Sequence, residues 1–531
     1  MEGAQPPGGS SAGTASYVAL RSAPGRWVLL ATVLGSSLAA IDGTVVGIAL
    51  PVIGRQFHVP LVSVQWVVTA YLLMLSSLLI VGGSLGDRFG RRRIFLIGVV
   101  WFAVASAACA AAPNSAVLIA TRAVQGAGAA LLVPASLAIV QAAYVEKDRA
   151  RAIGAWSGLG GVATAAGPLV GGYLVTAASW RWIFLLNVPL AVIILATSRH
   201  VPESSDESAP PIDRPGAVLT IISLAGITYG LVEGAALGWM AAPVLAALCV
   251  GGVGAAALVV IELRSSHPIL PVGLLRNRQL VAANACTLFV YASLSGALFL
   301  LPIQLEVGDH YTPFDAGLSL LPLTVVMLVL SSPSGALSAR IGPRLQMTAG
   351  PVVVGAGLAL LARAASGSSY PSVVLPAILV FAIGLGVTVA PLTATALGAV
   401  SDEHSGLASA LNNDVARVGG LVAVAIIPAI AGLSGGAYLH AAPLAHGFRI
   451  AIFVTAGWCV IGGLAAAVGI RNPPAARRLR GPLRLRREPI SCALDASPLV
   501  CARPLGAESG GPPDQSNQSD QSNEANEAVG G

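Results

Sequence analysis

The sequence predicts an all-α membrane protein with fourteen transmembrane helices, and three observations lead to this fold class. Of the 531 residues, 55% are hydrophobic and only 10% are charged, whereas soluble domains carry about 25% charged residues. Apolar stretches of about 20 residues, the length of helix that crosses a bilayer, recur along the chain. Basic residues are concentrated in alternate loops between these stretches.

The apolar stretches define the predicted membrane spans in chain order. They cover residues 27–52, 62–85, 94–112, 117–142, 153–177, 182–198, 216–236, 241–262, 279–304, 317–338, 346–365, 371–397, 406–432 and 448–470. Each is long enough for a helix that crosses the hydrocarbon core. A count of twelve spans would leave two apolar stretches without an explanation.

The charges of the loops indicate the orientation. Loops that follow even-numbered spans hold most basic residues: Arg88, Arg91, Arg92, Arg93, Lys147, Arg149, Arg151, Arg199, Arg214, Arg264, Arg276, Arg278, Arg340, Arg344 and a group from Arg471 to Arg487. The loops on the other side hold only Arg55, Arg181, Arg363 and Arg449. Basic loops stay on the cytoplasmic side, so we expect a plasma-membrane protein with both termini cytoplasmic.

The loop after the second span is repeated after the tenth. Gly83, Arg88, Gly90 and Arg92 recur 252 residues later as Gly335, Arg340, Gly342 and Arg344. Transporters built from two similar halves show repeats of this kind. We therefore expect a six-helix half over 27–199, two inserted helices with flanking cytoplasmic loops over 200–278, and a second six-helix half over 279–470.

The ends of the chain are polar. Residues 1–26 are rich in Gly, Pro and Ser, which predicts a disordered cytoplasmic tail. Residues 471–531 begin with arginines and become rich in Gly, Ser, Asn and Asp. The basic part of this second tail is expected to lie on anionic lipid, and the remainder is expected to be disordered.

Several classes of function lack the residues they need. The six cysteines are scattered without the spacing of a zinc site or a disulfide framework. Lys147 is the only lysine and does not follow glycine, so no phosphate-binding loop exists. No metalloprotease or nucleophile motif is present. We expect no enzyme activity, cofactor, metal or nucleic-acid partner, and a monomer whose partners are lipid, protons and a small-molecule substrate.

Asp42 lies inside the first span, where a carboxylate costs about 2.5–3.5 kcal/mol unless it faces water or a partner. The seven histidines all fall in loops or at the ends of spans, which argues against a histidine proton relay. Asp42 is therefore the leading candidate for a proton-binding residue. The alternative is a structural aspartate that makes hydrogen bonds between helices.

Arg122, in the fourth span, is a second charge within the membrane, and Gln125 follows it by one helical turn. A guanidinium close to a carboxylate favours its ionised form. Arg122 is thus expected to govern when a carboxylate such as Asp42 accepts a proton. A static salt bridge is the alternative.

The stretch around Arg122 resembles the helix-four motif of the major facilitator superfamily, in particular of its fourteen-span drug:proton antiporter family, and the resemblance covers roughly 27–470. Three further motifs resemble those of the same family. The first is the loop after the second span, formed by Gly83, Asp87, Arg88, Gly90, Arg91 and Arg92. The resemblance implies the major facilitator fold and assigns this loop to the cytoplasmic gate of the outward-facing state. A charge cluster that only sets topology is the alternative.

The second motif comprises Gly167, Pro168, Gly171 and Gly172 in the fifth span and resembles the antiporter motif of exporters. Its small residues permit close helix contacts, and the alternative is ordinary helix packing. The third motif runs from Ser179 to Pro189 and resembles the family's signature at the sixth helix. It identifies the family without indicating chemistry.

Candidate residues for a central cavity lie on three spans. They are Thr44, Gln125, Asn413, Asp414 and Arg417. Asp414 and Arg417 share a helix face and can pair with each other, which is the structural alternative for both. The chain departs from the family in having Gly47 where Asn is usual and Glu306 where Gln is common.

Together these features predict a proton-coupled secondary transporter that exports amphipathic organic compounds, such as drugs or antibiotics, by alternating access. A dedicated exporter of an endogenous metabolite or siderophore shares every motif. A membrane sensor without transport activity is the alternative from another class, and the retention of Asp42, Asp87 and Arg122 argues against it.

Overall fold

The computed structural model describes residues 17–206, 213–264, 276–364, 368–400 and 405–472. Most of both predicted tails, at 1–16 and 473–531, and parts of the predicted loops, at 207–212 and 265–275, lie outside these residues. The described chain is almost entirely helical, with one isolated β-bridge. Fourteen helical spans are long and apolar enough to cross a membrane, which confirms the predicted number.

The first half consists of seven helices. They are α1 (Ala23–Phe57), α2 (Leu61–Phe89), α3 (Arg91–Ala111), α4 (Ser115–Ala143), α5 (Glu146–Ala177), α6 (Arg181–Leu185) and α7 (Asn187–Thr197). Here α4 packs against α2 and α3, and α1 packs against α5 and α7. The helices α6 and α7 together form the sixth span, Arg181–His200.

Two helices, α8 (Arg214–Leu237) and α9 (Ala242–Arg264), are inserted between the halves. They pack on each other, and α8 also contacts α2 and a helix of the second half. Gly226 and Gly251 bring α8 and α9 into backbone contact, because a Cβ on Gly226 would lie 2.8 Å from Gly251 Cα. Glycine pairs allow membrane helices to approach this closely.

The second half also consists of seven helices. They are α10 (Arg278–Ile303), α11 (Pro313–Ser319), α12 (Leu321–Ile341), α13 (Pro343–Leu361), α14 (Leu375–Leu397), α15 (Ser405–Ile430) and α16 (Ala441–Gly469). A π-helical segment, Gln304–Gly308, continues α10, and α11 and α12 together form one span. The observed fold is therefore two six-span halves with two inserted spans.

The repeated turns take the backbone conformation that their glycines permit. Gly90 joins α2 to α3 with a φ of 103°, and Gly342 joins α12 to α13 with a φ of 88°. Residues with a Cβ rarely adopt these angles. The repeat detected in the sequence therefore corresponds to the same sharp turn in both halves.

The halves meet on the side opposite the first and last described residues, which we call the outer side. Hydrogen bonds between the halves lie on this side. They include Leu61 N–H to Gly435 O, 2.9 Å; Tyr438 O–H to Val59 O, 3.0 Å; Phe314 N–H to Thr176 Oγ1, 3.1 Å; and Gln65 Nε2 to Val424 O, 3.0 Å. The outer side is closed in this structure.

On the opposite side, the first described residues pair with the connection between α4 and α5. The Val18 N–H donates to Ala143 O at 2.8 Å, and the Val145 N–H donates to Val18 O at 3.3 Å. The Tyr144 hydroxyl donates to Gly25 O at 2.5 Å. Burial raises the pKa of Tyr144 to about 12, so this hydroxyl stays protonated at neutral pH.

Candidate functional site

Asp42 and Arg122 form an ion pair between α1 and α4. Arg122 Nη1 donates to Asp42 Oδ2 at 2.5 Å, and each side chain is only 1% exposed. The sequence analysis predicted that both charges lie within membrane spans, and the structure brings them together. Burial of two charges is tolerated here because each has a partner of opposite sign.

Polar side chains from three other positions complete the environment of Asp42. Its Oδ1 accepts hydrogen bonds from Gln125 Nε2 at 2.9 Å and from Asn187 Nδ2 at 3.2 Å. The same two amides donate to Ser106 Oγ on α3, at 2.7 and 3.1 Å. Both carboxylate oxygens are thus hydrogen-bonded, as an ionised group in a protein interior requires.

Arg122 is held by groups other than Asp42 as well. Its Nε donates to Val67 O on α2 at 3.0 Å, and its Nη1 also lies 2.6 Å from Gln125 Oε1. The guanidinium carbon lies 4.2 Å from the centre of the Tyr71 ring, a favourable distance for a cation over an aromatic face. These contacts would keep Arg122 in place if Asp42 became neutral.

Helix geometry explains how the chain builds this cluster. Arg122 and Gln125 are three residues apart on α4 and therefore share one face. Asn187 is the first residue of α7, next to the interruption at Leu186 that separates α7 from α6. The sequence analysis placed Asn187 in a family signature without a chemical role and gave no signal for Ser106.

The predicted antiporter motif on α5 contacts both the ion-pair helix and the second half. A Cβ on Gly167 would collide with the Thr44 side chain, and one on Gly171 would lie 2.7 Å from Val45 Cγ1. A Cβ on Gly172 would lie 2.8 Å from Phe314 Cα on α11. One stretch of α5 therefore touches α1 just after Asp42 and also touches the other half.

Two other motif residues have local roles. The Thr44 hydroxyl donates to Ile41 O within its own helix at 2.9 Å, so in this conformation it can only accept a hydrogen bond from another group. Pro168 lies inside α5, where it removes a backbone hydrogen bond.

The predicted cytoplasmic gate is covered by a strap, residues 203–206, that follows the sixth span. The Glu203 carboxylate accepts the backbone N–H groups of Arg92 and Arg93 at 3.0 and 3.1 Å, which caps the start of α3. The Arg91 N–H donates to Ser204 O at 2.9 Å. The sequence analysis did not detect Glu203, because nothing in the chain marks a cap more than a hundred residues away.

Charges of the gate loop pair within the first half. Asp87 Oδ1 lies 2.8 Å from both Nε and Nη2 of Arg91, the first residue after the turn at Gly90. Arg88 is exposed. A Cβ added to Gly83 would lie 3.7 Å from Pro134 Cβ, which is ordinary contact distance. In the second half, the equivalent cap is neutral, because Asn472 Oδ1 accepts the Arg344 N–H at 3.0 Å.

The candidates on α15 lie in the other half. Asn413 is exposed and donates to Ser409 O at 3.0 Å. Asp414 Oδ1 is buried without a hydrogen-bond partner, and the charge of Arg417, three residues further on, acts on it through space. Helix α15 also packs against α2, the helix that carries Tyr71, the ring that covers Arg122. This places α15 opposite the Asp42 cluster.

Among the residues that the structure describes, no group of three His, Cys, Asp or Glu side chains is arranged to hold a metal ion.

Comparison with known proteins identifies the family. The sequence profile of the Major Facilitator Superfamily matches residues 32–424. The chain is 34% identical to a methylenomycin A resistance protein of Streptomyces coelicolor, over 85% of this chain and 94% of that protein. It is 35% identical to the multidrug resistance protein Stp of Mycobacterium tuberculosis, over 76% and 75%. It is 33% identical to a tetracenomycin C resistance and export protein of Streptomyces glaucescens, over 76% and 74%.

Solved structures show the same fold at low sequence identity. The peptide transporter POT in complex with sulfate has a TM-score of 0.62 at 16% identity, over 86% of this chain and 96% of that one. A bacterial homologue of the lysosomal transporter Spinster, in an inward-facing conformation, has a TM-score of 0.60 at 17% identity, over 84% and 96%. The chain therefore belongs to the Major Facilitator Superfamily and is a multi-pass membrane transporter rather than an enzyme.

Proposed function

We propose that this transporter exports amphipathic organic compounds across the plasma membrane in exchange for protons, by alternating access. Both termini lie in the cytoplasm, and Asp42 binds the transported proton. The observation that carries the proposal is the buried ion pair between Asp42 and Arg122, together with the two amides that bind the same carboxylate.

The cluster is suited to a proton switch. A proton on Asp42 removes the negative charge that neutralises Arg122, and a buried charge without its partner is unfavourable by about 3–5 kcal/mol. Rearrangement of the surrounding helices relieves this penalty. Arg122 keeps its hydrogen bond to Val67 O and its contact with Tyr71. The helix that moves is therefore mainly α1, which carries Asp42.

Helix α1 offers a route from Asp42 to the outer side. Thr44 and Val45, two and three residues after Asp42, pack against Gly167 and Gly171 of α5. Gly172, which also lies on α5, packs against Phe314 of the second half. A shift of α1 on protonation would therefore move α5 relative to α11, and this contact holds the outer side closed.

The names of the relatives support export of antibiotics or other drugs. Three of them are named for resistance to methylenomycin A, for multidrug resistance, and for resistance to and export of tetracenomycin C. The last name favours a second candidate, a dedicated exporter of one compound made by the cell. A panel of compounds separates the two, since resistance to several unrelated compounds supports the first candidate and resistance to one supports the second.

The test of proton coupling compares Asp42→Asn with wild type in vesicles that carry a pH gradient. Asparagine keeps the shape and resembles the protonated acid, so the variant should bind substrate but lose gradient-driven efflux. Asp213→Asn is the matched control. Asp213 lies before α8 and accepts the Gly216 N–H at 2.9 Å, a cap that asparagine also provides. Full gradient-driven efflux by Asp42→Asn would exclude Asp42 as the coupling residue.

A further inference from the structure

Glu306 is a second buried carboxylate, and it lies outside the Asp42 cluster. It belongs to the π-helical segment Gln304–Gly308, which continues α10 to the outer side. Its side chain is 1% exposed, and neither carboxylate oxygen has a hydrogen-bond partner. The amide nitrogen and oxygen of Gln304, two residues earlier in the same segment, are also buried without partners. An ionised carboxylate in such an environment is far more costly than the neutral acid.

The position of Glu306 connects this cost to the closure of the outer side. Arg55 Nη2 on α1 lies 3.8 Å from Glu306 Oε2, so the carboxyl group of the second half faces a cation of the first. The Arg55 side chain is 49% exposed, and an ion pair with a solvated partner and no hydrogen bond contributes little. Burial therefore dominates the environment of Glu306 while the outer side is closed.

Opening of the outer side would reverse this balance. Arg55 and Glu306 belong to different halves, so separation of the halves there would admit water to the carboxyl group. Water stabilises the ionised form. By linkage, the proton that the closed form binds more tightly must in turn stabilise the closed form.

We propose that Glu306 is a second proton-binding site of this transporter, which takes up a proton as the outer side closes and releases it as that side opens. The proposal rests on the alternating-access cycle proposed above. Because the proton enters from the outer side and leaves to that side again, Glu306 does not carry the exchanged proton. Its protonation instead stabilises the closed outer side at the step that ends the outward-facing state.

Other titratable groups surround the segment and have to be separated from Glu306. They lie on the turn after the segment, on α11 and on α16, and they are Asp309, His310, Tyr311, Asp315, His446 and Arg449. His310, Asp315, His446 and Arg449 are exposed, so their hydration changes little on opening. Tyr438 lies near Arg55, but burial raises its pKa to about 12. It therefore remains a donor to Val59 O between pH 5 and pH 9.

The experiment measures the opening itself. Spin labels are attached at Ala178→Cys and Ser434→Cys, two exposed positions on the outer side of the two halves, after replacement of the six native cysteines. The distance distribution is recorded in lipid nanodiscs from pH 5 to pH 9. The ratio of closed to open populations should rise on the order of tenfold as the pH falls. In Glu306→Gln, which is always neutral, the outer side should stay closed and the ratio should change by less than about twofold.

Controls separate Glu306 from its neighbours. Glu233→Gln is the matched acid-to-amide change, because Glu233 Oε1 accepts from Trp66 Nε1 at 2.8 Å at the same surface and glutamine can do so too. It should keep the wild-type shift with pH. A background with His58, His310, His440 and His446 replaced by Asn removes the outer histidines. Asparagine tolerates the positive φ of His58 and His310. This background should also keep the shift.

Several outcomes would overturn the proposal. The first is a wild-type ratio of closed to open populations that does not depend on pH. The second is a ratio that shifts towards the open form in acid, which would mean that the ion pair with Arg55 outweighs burial. An unchanged shift in Glu306→Gln would also exclude the site. If that variant does not fold, Glu306→Leu supplies a neutral side chain without unpaired polar atoms. The readout requires no substrate or gradient, so it stays informative even if Asp42 proves not to couple export.

Discussion

Asp42 and Arg122 contact each other at 2.5 Å although 80 residues separate them in the chain. The pair ties α1 to α4 at a depth where water does not stabilise either charge. Loss of one partner should therefore be more harmful than loss of both, because a single substitution leaves one buried charge without compensation.

This asymmetry gives the first prediction. Arg122→Gln should lower the free energy of unfolding by about 3–5 kcal/mol, and the double variant Asp42→Asn with Arg122→Gln should recover about half of that loss. Thermal unfolding of the four proteins in detergent forms a double-mutant cycle. Additive losses would show that the two charges are not coupled energetically.

The second prediction concerns the turn at Gly90. A Cβ there would lie 2.8 Å from the Glu203 carboxyl carbon, at a φ of 103°. Gly90→Ala should therefore destabilise the protein by about 1–3 kcal/mol and slow transport, while membrane insertion is kept. Gly86→Ala is the matched control, since its Cβ would meet no atom closer than 4.0 Å. A normal melting temperature and normal transport in Gly90→Ala would show that this turn is not needed for gating and only sets the membrane topology.

The third prediction concerns the contact between α5 and α11. Gly172→Ala should force these helices apart, because its Cβ would enter the backbone of Pro313 and Phe314. The outer side should then open more often, which the spin-label distance between positions 178 and 434 measures. Gly161→Ala is the matched control. Gly161 lies on the same helix, and a Cβ there would have no atom within 4 Å, so this variant should leave the distance unchanged. Equal distances in both variants would contradict a closing role for Gly172.

The fourth prediction concerns orientation. Tags at residues 5 and 525 should be shielded in intact cells, whereas a cysteine at the exposed Ser434 should react with an impermeant reagent. The basis is the arginine asymmetry between the loops. Reaction of either tag from outside would invert or refute the fourteen-span topology.

Periodicity and composition predicted most of the fold. The number of spans and the repeated turn at Gly90 and Gly342 are confirmed. The ends of the helices were less accurate. Helix α1, predicted over 27–52, runs over Ala23–Phe57, because hydropathy marks the part of a helix in lipid and not its polar extensions. The interruption of the sixth span at Leu186 left no trace in composition.

The candidate site was predictable only where a residue is anomalous in its own stretch of sequence. Asp42 and Arg122 are charges among apolar neighbours, and Gln125 follows from helical spacing. Ser106 is a common residue in membrane helices, and its contact with Asn187 depends on how α3 and α7 pack. Glu203 is an ordinary loop residue until the fold brings it to α3. Contacts between distant elements of this kind arise from packing, which periodicity does not encode.

The pairing of Val18 with the connection between α4 and α5 has a practical consequence for protein engineering. A fluorescent protein or affinity handle joined directly before Tyr17 would strain the Val18–Tyr144 bridge. It would also disturb the start of α1, where the Tyr144 hydroxyl donates to Gly25 O. Reporters placed before this point need a flexible spacer. A fusion placed after Asn472, whose side chain accepts the Arg344 N–H, leaves both this bridge and that cap in place.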